Sequence, residues 1–210
     1  MLRHLTIAVL FLTRVPVPLD PPARAEELPR AAAFFPLVGG LVGTLAGVVA
    51  WGGAHLWPLW LAVLVALAFE ALLTGAFHED AVADYFDAIG GGWTREDILR
   101  ILKDSRIGSF GALGLILLVA LRAGALAQLG GALVAGWMAS AAAGRLLSVH
   151  AMVALPPASD RASLSRDVGP GVGRGQYALA FVTTLPFLLW IGAVAPVRTA
   201  AAMVTAALVG

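Results

Sequence analysis

Five apolar stretches, each long enough to cross a lipid bilayer as a helix, dominate this sequence of 210 residues. The hydrocarbon core of a bilayer is about 30 Å thick, so a crossing helix needs roughly 20 apolar residues. The predicted spans are Phe34–Trp57, Leu59–Phe77, Phe110–Leu129, Ala132–Leu155 and Tyr177–Ala195. A sixth stretch begins at Thr199 and has only about 12 residues before Gly210, too few to cross. We expect an all-α, polytopic transmembrane helical bundle of five full spans and a truncated sixth, forming one domain over residues 1–210.

Composition agrees with a membrane location and excludes several functions. Hydrophobic residues make up 60% of the chain and charged residues 13%, whereas soluble domains carry about 25% charged residues. The formal net charge of +1 gives no basic stripe for nucleic acid. The absence of cysteine excludes disulfides, thiolate nucleophiles and cysteine metal sites.

Three polar segments separate or precede the spans, over residues 1–33, 78–109 and 156–176. They carry eleven of the chain's 14 basic residues, and alternating the five spans places all three segments on one side. Because cytoplasmic loops of membrane proteins are enriched in Lys and Arg, that side is predicted to be the cytoplasm. We expect a multi-pass protein of the cell inner (cytoplasmic) membrane with segment 78–109 on the cytoplasmic side.

Small residues recur every four positions in the first span, at Gly39, Gly43 and Gly47. Such spacing allows helices to approach closely in lipid. Packing inside the bundle is the favoured interpretation, and a seam between copies in a homo-oligomer is the alternative.

The segment after the second span holds seven of the chain's 13 acidic residues, between Glu79 and Asp104. Asp80, Asp84 and Asp87 have the i, i+4, i+7 spacing of one helix face, where like charges repel. A divalent cation removes this repulsion, and oxygen-only ligands favour a hard ion such as Mg²⁺. With Glu79, these residues are the predicted metal ligands, although a solvated loop is the plain alternative.

Neighbouring residues are suited to binding phosphate. Lys103 and Arg106 match phosphate oxygens, and Asp104 is a candidate metal ligand or base. A simpler role as a basic anchor for the next helix explains Lys103 and Arg106 but not Asp104 and Ser105 between them, and Ser105 is a candidate for substrate binding. A run of three glycines follows the acidic cluster. It allows the backbone to approach a phosphate closely, or it simply ends a helix. Its residues are Gly90, Gly91 and Gly92.

Two further polar residues flank the acidic cluster. His78 is a candidate ligand or general base, although a single His at a membrane edge is often only interfacial. Glu70 lies inside the second span, where a carboxylate is costly, so it is predicted to face the bundle interior. Its partner stays open among Arg145, Arg122 and His55. The acidic residues, the glycine run and the basic residues all lie on one predicted side of the bundle. This combination favours an enzyme that catalyses displacement at phosphorus.

Four ordered blocks of the first 111 residues resemble the cobalamin synthase family (adenosylcobinamide-GDP ribazoletransferases). They are an N-terminal Phe-Leu-Thr-Arg-Val-Pro-Val-Pro, a Phe-Phe-Pro-Leu-Val-Gly, an acidic motif and a Lys-Asp-Ser-Arg-Ile-Gly. The blocks occupy residues 11–18, 34–39, 77–92 and 103–111. Ala81 and Ala88 stand where family members often have glycine. Members commonly continue some 35–50 residues further, the length of one or two spans, into a Thr-Gly-Asp block.

The resemblance implies joining of adenosylcobinamide-GDP to α-ribazole or its 5′-phosphate, with Mg²⁺ as cofactor and release of GMP. It implies that Asp80, Asp84 and Asp87 hold the metal against the pyrophosphate while Lys103 and Arg106 grip phosphate oxygens. Arg14, in the first block, becomes a candidate for substrate binding.

Two other functions stay open at the level of sequence. One is a membrane phosphotransferase of the CDP-alcohol phosphatidyltransferase type, whose Asp-x-x-Asp spacing Asp84 and Asp87 share but whose second aspartate pair is missing here. The other is a membrane transport protein with an acidic ion site. Transport sites usually lie near the bilayer midplane, whereas these acids gather at one end of a span.

Overall fold

The computed structural model describes residues 1–155, 171–197 and 199 of the chain. This part contains nine α-helices and no strand. Their bounds are α1 Leu2–Leu12, α2 Leu28–Ala31, α3 Phe35–Gly53, α4 Leu59–Thr74, α5 Phe77–Gly91, α6 Arg95–Ile101, α7 Ser109–Ala127, α8 Leu133–Ala154 and α9 Arg174–Val194. Short 3₁₀ turns occupy Ala25–Glu27, Ala32–Phe34 and Gly130–Ala132. Most of the predicted polar segment 156–176, and all but Thr199 of the short sixth stretch, lie outside the described residues.

Four helical stretches of the described part are long and apolar enough to cross a bilayer. They are Ala25–Gly53, Ser109–Ala127, Gly130–Ala154 and Arg174–Val194. The pair α4 and α5 adds a fifth if it is counted as one bent span. The predicted all-α, multi-pass architecture is confirmed, with the number of spans at four or five.

The second predicted span ends earlier than its apolar sequence indicated. Helix α4 stops at Thr74, because Gly75 and Ala76 adopt left-handed conformations with φ of 70° and 56°. Glycine favours this conformation after a helix end, whereas Ala76 adopts it at some cost. Helix α5 then leaves at 94° to α4, so the acidic segment is a separate helix at the end of the bundle.

The glycine stripe of α3 lies against α8. A Cβ atom on Gly43 would lie 2.7 Å from Ala141 Cβ, and one on Gly47 would lie 2.9 Å from Val134 Cα. The third member, Gly39, lies against Ala141 O and the stem of Arg145. The predicted role in packing inside the bundle is therefore confirmed.

Two contacts fix the N-terminal segment, one within the segment and one to the bundle. Arg3 Nε donates to Glu27 Oε1 at 2.6 Å, which joins α1 to the turn before α2. Arg14 N donates to Leu73 O at 2.8 Å, which joins the chain after α1 to the end of α4. The chain after α1 thus packs beside the bend between α4 and α5.

Candidate active site

The bend between α4 and α5 positions the acidic residues. Gly75 has no side chain, and the guanidinium stem of Arg14 occupies the place where a Cβ atom would lie. Arg14, a predicted substrate-binding residue, is exposed and reaches this bend. Since α5 turns away from α4, its charged side chains lie at the end of the bundle rather than inside it.

The three aspartates of α5 lie on one helix face, as their spacing predicted. Asp80 is exposed, and Asp84 and Asp87 are half-buried. Burial raises the pKa of Asp84 above its usual value, and the charges of Asp80 and Asp87 raise it further. This mutual repulsion is the electrostatic condition that a bound cation relieves.

Asp87 joins α5 to the beginning of α7. Its Oδ2 accepts a hydrogen bond from Gly108 N at 2.7 Å, and its Oδ1 accepts one from Gly111 N at 2.8 Å. These N–H groups belong to the first turn of α7, which has no helical acceptor for them. Gly108 and Gly111 permit the contact, since a Cβ on either would overlap the carboxylate. Asp87 therefore caps α7 with lone pairs still available on both oxygens.

The basic block lies in the loop between α6 and α7. Arg106 Nη2 donates to Asp104 Oδ2 at 2.6 Å, and Arg106 Nε also bonds this carboxylate. The hydrogen bonds from Arg106 lower the pKa of Asp104 to about 2, which makes this carboxylate a weak proton acceptor. Lys103, Ser105 and Arg106 are exposed, so their polar groups are accessible to a phosphate.

The glycine run ends α5 and packs against the next two helices. Gly90 and Gly91 are helical, and Gly92 N donates to Ala88 O at 2.9 Å. A Cβ on Gly90 would overlap the ring of Phe110, and one on Gly92 would lie 2.6 Å from Ile98 Cγ1. Close packing and helix termination thus account for Gly90 and Gly92, without an open phosphate loop.

Glu70 has the partner that the sequence left open. The side chain is 3% exposed, and its Oε2 accepts from Arg122 Nη2 and from Trp137 Nε1, each at 2.9 Å. Arg122 Nη1 also lies 3.6 Å from Glu79 Oε1. Arg122 therefore links the spanning helix α4 to the first turn of α5. In the sequence, the only signal for this role of Arg122 was its position within a predicted span. No sequence feature indicated that Trp137 would contact Glu70.

His78 lies on the inner side of the same turn. Burial, and after it the positive charge of Arg145, lower the pKa of His78 to about 4, so the imidazole is neutral near pH 7. Its Nδ1 is buried and has no hydrogen-bond partner among the described residues. The neutral ring retains one acceptor nitrogen, but its lowered pKa makes it a weak base, so its role in proton transfer stays a prediction.

The acidic face of α5 fits a divalent cation only in part. Within the described residues, no three His, Asp or Glu side chains converge as a complete metal cage. Glu79 turns toward Arg122 and Asp87 caps α7, which leaves Asp80 and Asp84 with the least committed carboxylates. Mg²⁺ is commonly held by one or two carboxylates plus substrate phosphates. These carboxylates therefore suit Mg²⁺ whose coordination is completed by the phosphate groups of a bound substrate.

Comparison with known proteins gives one family. The cobalamin-5-phosphate synthase family model matches residues 4–210. An adenosylcobinamide-GDP ribazoletransferase from Shewanella baltica (strain OS155 / ATCC BAA-1091) is 48% identical over 116 residues, which are 55% of this chain and 44% of the relative. The adenosylcobinamide-GDP ribazoletransferase from Shewanella sp. (strain ANA-3) is 47% identical over 116 residues, which are again 55% of this chain and 44% of the relative. The match thus spans less than half the length of these relatives. No solved structure matches the chain.

Proposed function

Because the chain belongs to the cobalamin-5-phosphate synthase family, we propose that it is an adenosylcobinamide-GDP ribazoletransferase of cobalamin biosynthesis. It joins adenosylcobinamide-GDP to α-ribazole or α-ribazole 5′-phosphate and releases GMP. The observation that carries this proposal is the row of three aspartates on α5, held at the end of the bundle beside an exposed basic loop. That pairing of acids and cations suits a nucleotide-linked diphosphate.

The reaction is a displacement at phosphorus. A hydroxyl oxygen of the acceptor ribose bonds to the phosphorus that is attached to cobinamide, and the bond from that phosphorus to the GMP oxygen breaks. The hydroxyl proton is lost, and GMP leaves as an anion. Lys103 and Arg106 bind the phosphate oxygens through exposed cationic groups, and Ser105 adds a hydroxyl donor.

Asp80 and Asp84 are the primary ligands for Mg²⁺, with Glu79 and Asp87 beside them. When bound, this ion would supply positive charge that offsets the negative charge of the diphosphate during the displacement. Asp87 has a second task in this proposal, because its hydrogen bonds to Gly108 and Gly111 fix the acidic helix against the basic loop. Arg14, which lies at the bend, adds a positive charge on the same side.

The proposal places the protein in the cell inner membrane with α5 and the loop before α7 on the cytoplasmic side. Its support is the enrichment of basic residues in the segments on that side of the bundle. Nucleotide substrates are cytoplasmic, so the acidic face would meet them directly.

The test compares two nucleotide products from the purified chain in lipid nanodiscs. With adenosylcobinamide-GDP, α-ribazole 5′-phosphate and Mg²⁺, we expect release of GMP and formation of the corrinoid phosphate. With a CDP-lipid and an alcohol acceptor we expect no CMP. Release of CMP instead of GMP would assign the protein to the phosphatidyltransferase alternative, and release of neither nucleotide would contradict the proposal.

A further inference from the structure

A cavity of roughly 520 Å³ lies between α1, α3, α5 and α8. Its walls include five aromatic rings, Phe11, Phe35, Phe77, Tyr85 and Phe86. We call it the aromatic cavity. Phe11 and Phe35 stack with ring centroids 5.2 Å apart, and Phe77 meets Phe11 edge-on at 5.6 Å. Cavities of this size and apolar character are typical small-molecule sites.

Arg145 brings a cation to the wall of this cavity. Its stem passes across α3 at Gly39, where a Cβ atom would lie 2.6 Å from Arg145 Cδ. Its Nη1 makes a long hydrogen bond of 3.3 Å to Ala141 O in the preceding turn of α8. In the described part of the chain, its Nε is buried without a partner and no carboxylate lies within 4 Å of the guanidinium.

His78 also lines this cavity, and its buried Nδ1 has no hydrogen-bond partner among the residues described. A ligand with an anionic oxygen would pair with the guanidinium of Arg145 at this wall. The apolar rings would cover the rest of the same ligand.

We propose that the aromatic cavity binds the acceptor substrate as an aromatic nucleoside phosphate, with its base against the rings and its phosphate on Arg145. This inference rests on the proposed function. The family description names a 5-phosphate product, and a bicyclic aromatic base carrying a phosphate has the two chemical features that the cavity offers. Aromatic stacking on a base contributes binding whatever the base's hydrogen-bonding groups.

The location favours a substrate over a structural lipid. Phe77, His78, Ala81, Val82 and Tyr85 line the cavity from α5, the same helix that carries the aspartates on its other side. In the first turn of α5, His78 faces the cavity while Asp80 belongs to the acidic face. A molecule in the cavity therefore contacts the helix that carries the proposed metal ligands.

The test measures binding, so it does not require turnover. The purified full chain in nanodiscs is titrated with α-ribazole 5′-phosphate, α-ribazole and a fluorescent phosphatidylglycerol. Arg145→Gln should weaken binding of the 5′-phosphate by about 10- to 100-fold, the loss expected for charge-assisted hydrogen bonds. Binding of unphosphorylated α-ribazole should change less than threefold. Arg30→Gln, at an exposed arginine outside the cavity, is the control and should leave both affinities unchanged.

A second variant keeps the charge and fills the space. Ser148 lines the cavity from α8, and Ser148→Phe should weaken both forms of the acceptor to a similar extent. Thermal unfolding verifies that each variant is folded. Unchanged 5′-phosphate affinity in Arg145→Gln, an equal loss of both acceptor forms in that variant, or an Arg145 dependence seen only with phosphatidylglycerol would each overturn the inference.

The outcomes also separate this inference from the proposed function. Acceptor binding that depends on Arg145, without GMP release by the wild-type chain, supports the cavity and contradicts the proposed reaction. GMP release by wild type with an unchanged KM for the 5′-phosphate in Arg145→Gln supports the reaction and overturns the cavity assignment.

Discussion

Individual side chains of this site combine structural and chemical tasks. Asp87 was predicted as a metal ligand, and it is also the acceptor for two backbone N–H groups that begin α7. Arg122 lies inside a span and bonds the buried Glu70. A substitution at either residue therefore alters the arrangement of helices as well as local charge.

Removing the carboxylate of Asp87 should destabilise the junction of α5 and α7. We expect Asp87→Ala to lower the free energy of unfolding by about 1–3 kcal/mol, because the buried Gly111 N–H and the exposed Gly108 N–H both lose their acceptor. Asp87→Asn keeps one acceptor oxygen and should cost less. Hydrogen exchange at Gly108 and Gly111 measures the effect directly, and unchanged exchange in Asp87→Ala would show that the cap contributes nothing.

Removing only one partner of the buried Glu70–Arg122 ion pair should destabilise the protein. We expect Arg122→Met to lower the unfolding free energy by about 2–3 kcal/mol, below the 3–5 kcal/mol of fully enclosed pairs because Arg122 is 32% exposed. Glu70→Met combined with Arg122→Met should recover only part of this loss. The buried charge of Glu70 is then gone, but Trp137 Nε1 and Glu79 still lose their partners. Unfolding by SDS titration in mixed micelles measures both. Equal stability of the single and double variants would contradict the account.

Helices in this bundle are positioned by close approach and by one sharp bend. The stripe Gly39, Gly43 and Gly47 brings α3 against α8, and Gly75 with Ala76 turns the chain out of α4. The bend decides that the aspartates stand at the end of the bundle on a helix of their own. Two substitutions test these element-scale features separately.

Enlarging the middle glycine of the stripe should separate α3 from α8. We expect Gly43→Leu to destabilise the protein by about 3 kcal/mol, at the upper end of overpacking costs, since a Cβ there already lies 2.9 Å from backbone atoms of α8. Gly52→Leu is the matched control on the same helix, because nothing lies within 4 Å of its Cβ position. Similar unfolding curves for both variants would rule out the stripe as a packing device.

Adding a side chain at Gly75, the first residue of the bend, should destabilise the protein. We expect Gly75→Ala to cost about 1–2 kcal/mol, from the left-handed φ of 70° and from the displaced Arg14 stem. Ala76→Gly should be neutral or stabilising, because it relieves a left-handed alanine. Thermal unfolding in detergent distinguishes the pair. A gain in stability for Gly75→Ala would mean that this turn is not strained as the structure indicates.

At the scale of the molecule, the sequence predicted the helical, multi-pass architecture and the family, because spans leave a signal of about 20 apolar residues. It also predicted that the aspartates share a helix face. It did not predict the end of α4 at Thr74, because Phe77 continues the apolar run beyond the glycine. The contacts of Asp87 with α7 and of Glu70 with Trp137 were not predictable, since they join residues 21 to 67 positions apart.

The central claim is that the acidic face of α5 holds a divalent cation for transfer at the diphosphate of the donor. The most direct measurement is the rate of GMP release by the purified chain against free Mg²⁺ concentration, for wild type, Asp84→Asn and the exposed-acid control Glu96→Gln. We predict no release in chelator, a loss of at least about 100-fold for Asp84→Asn at any Mg²⁺ concentration, and wild-type behaviour for Glu96→Gln. GMP release that continues in chelator, or that is unaffected by Asp84→Asn, would contradict the claim.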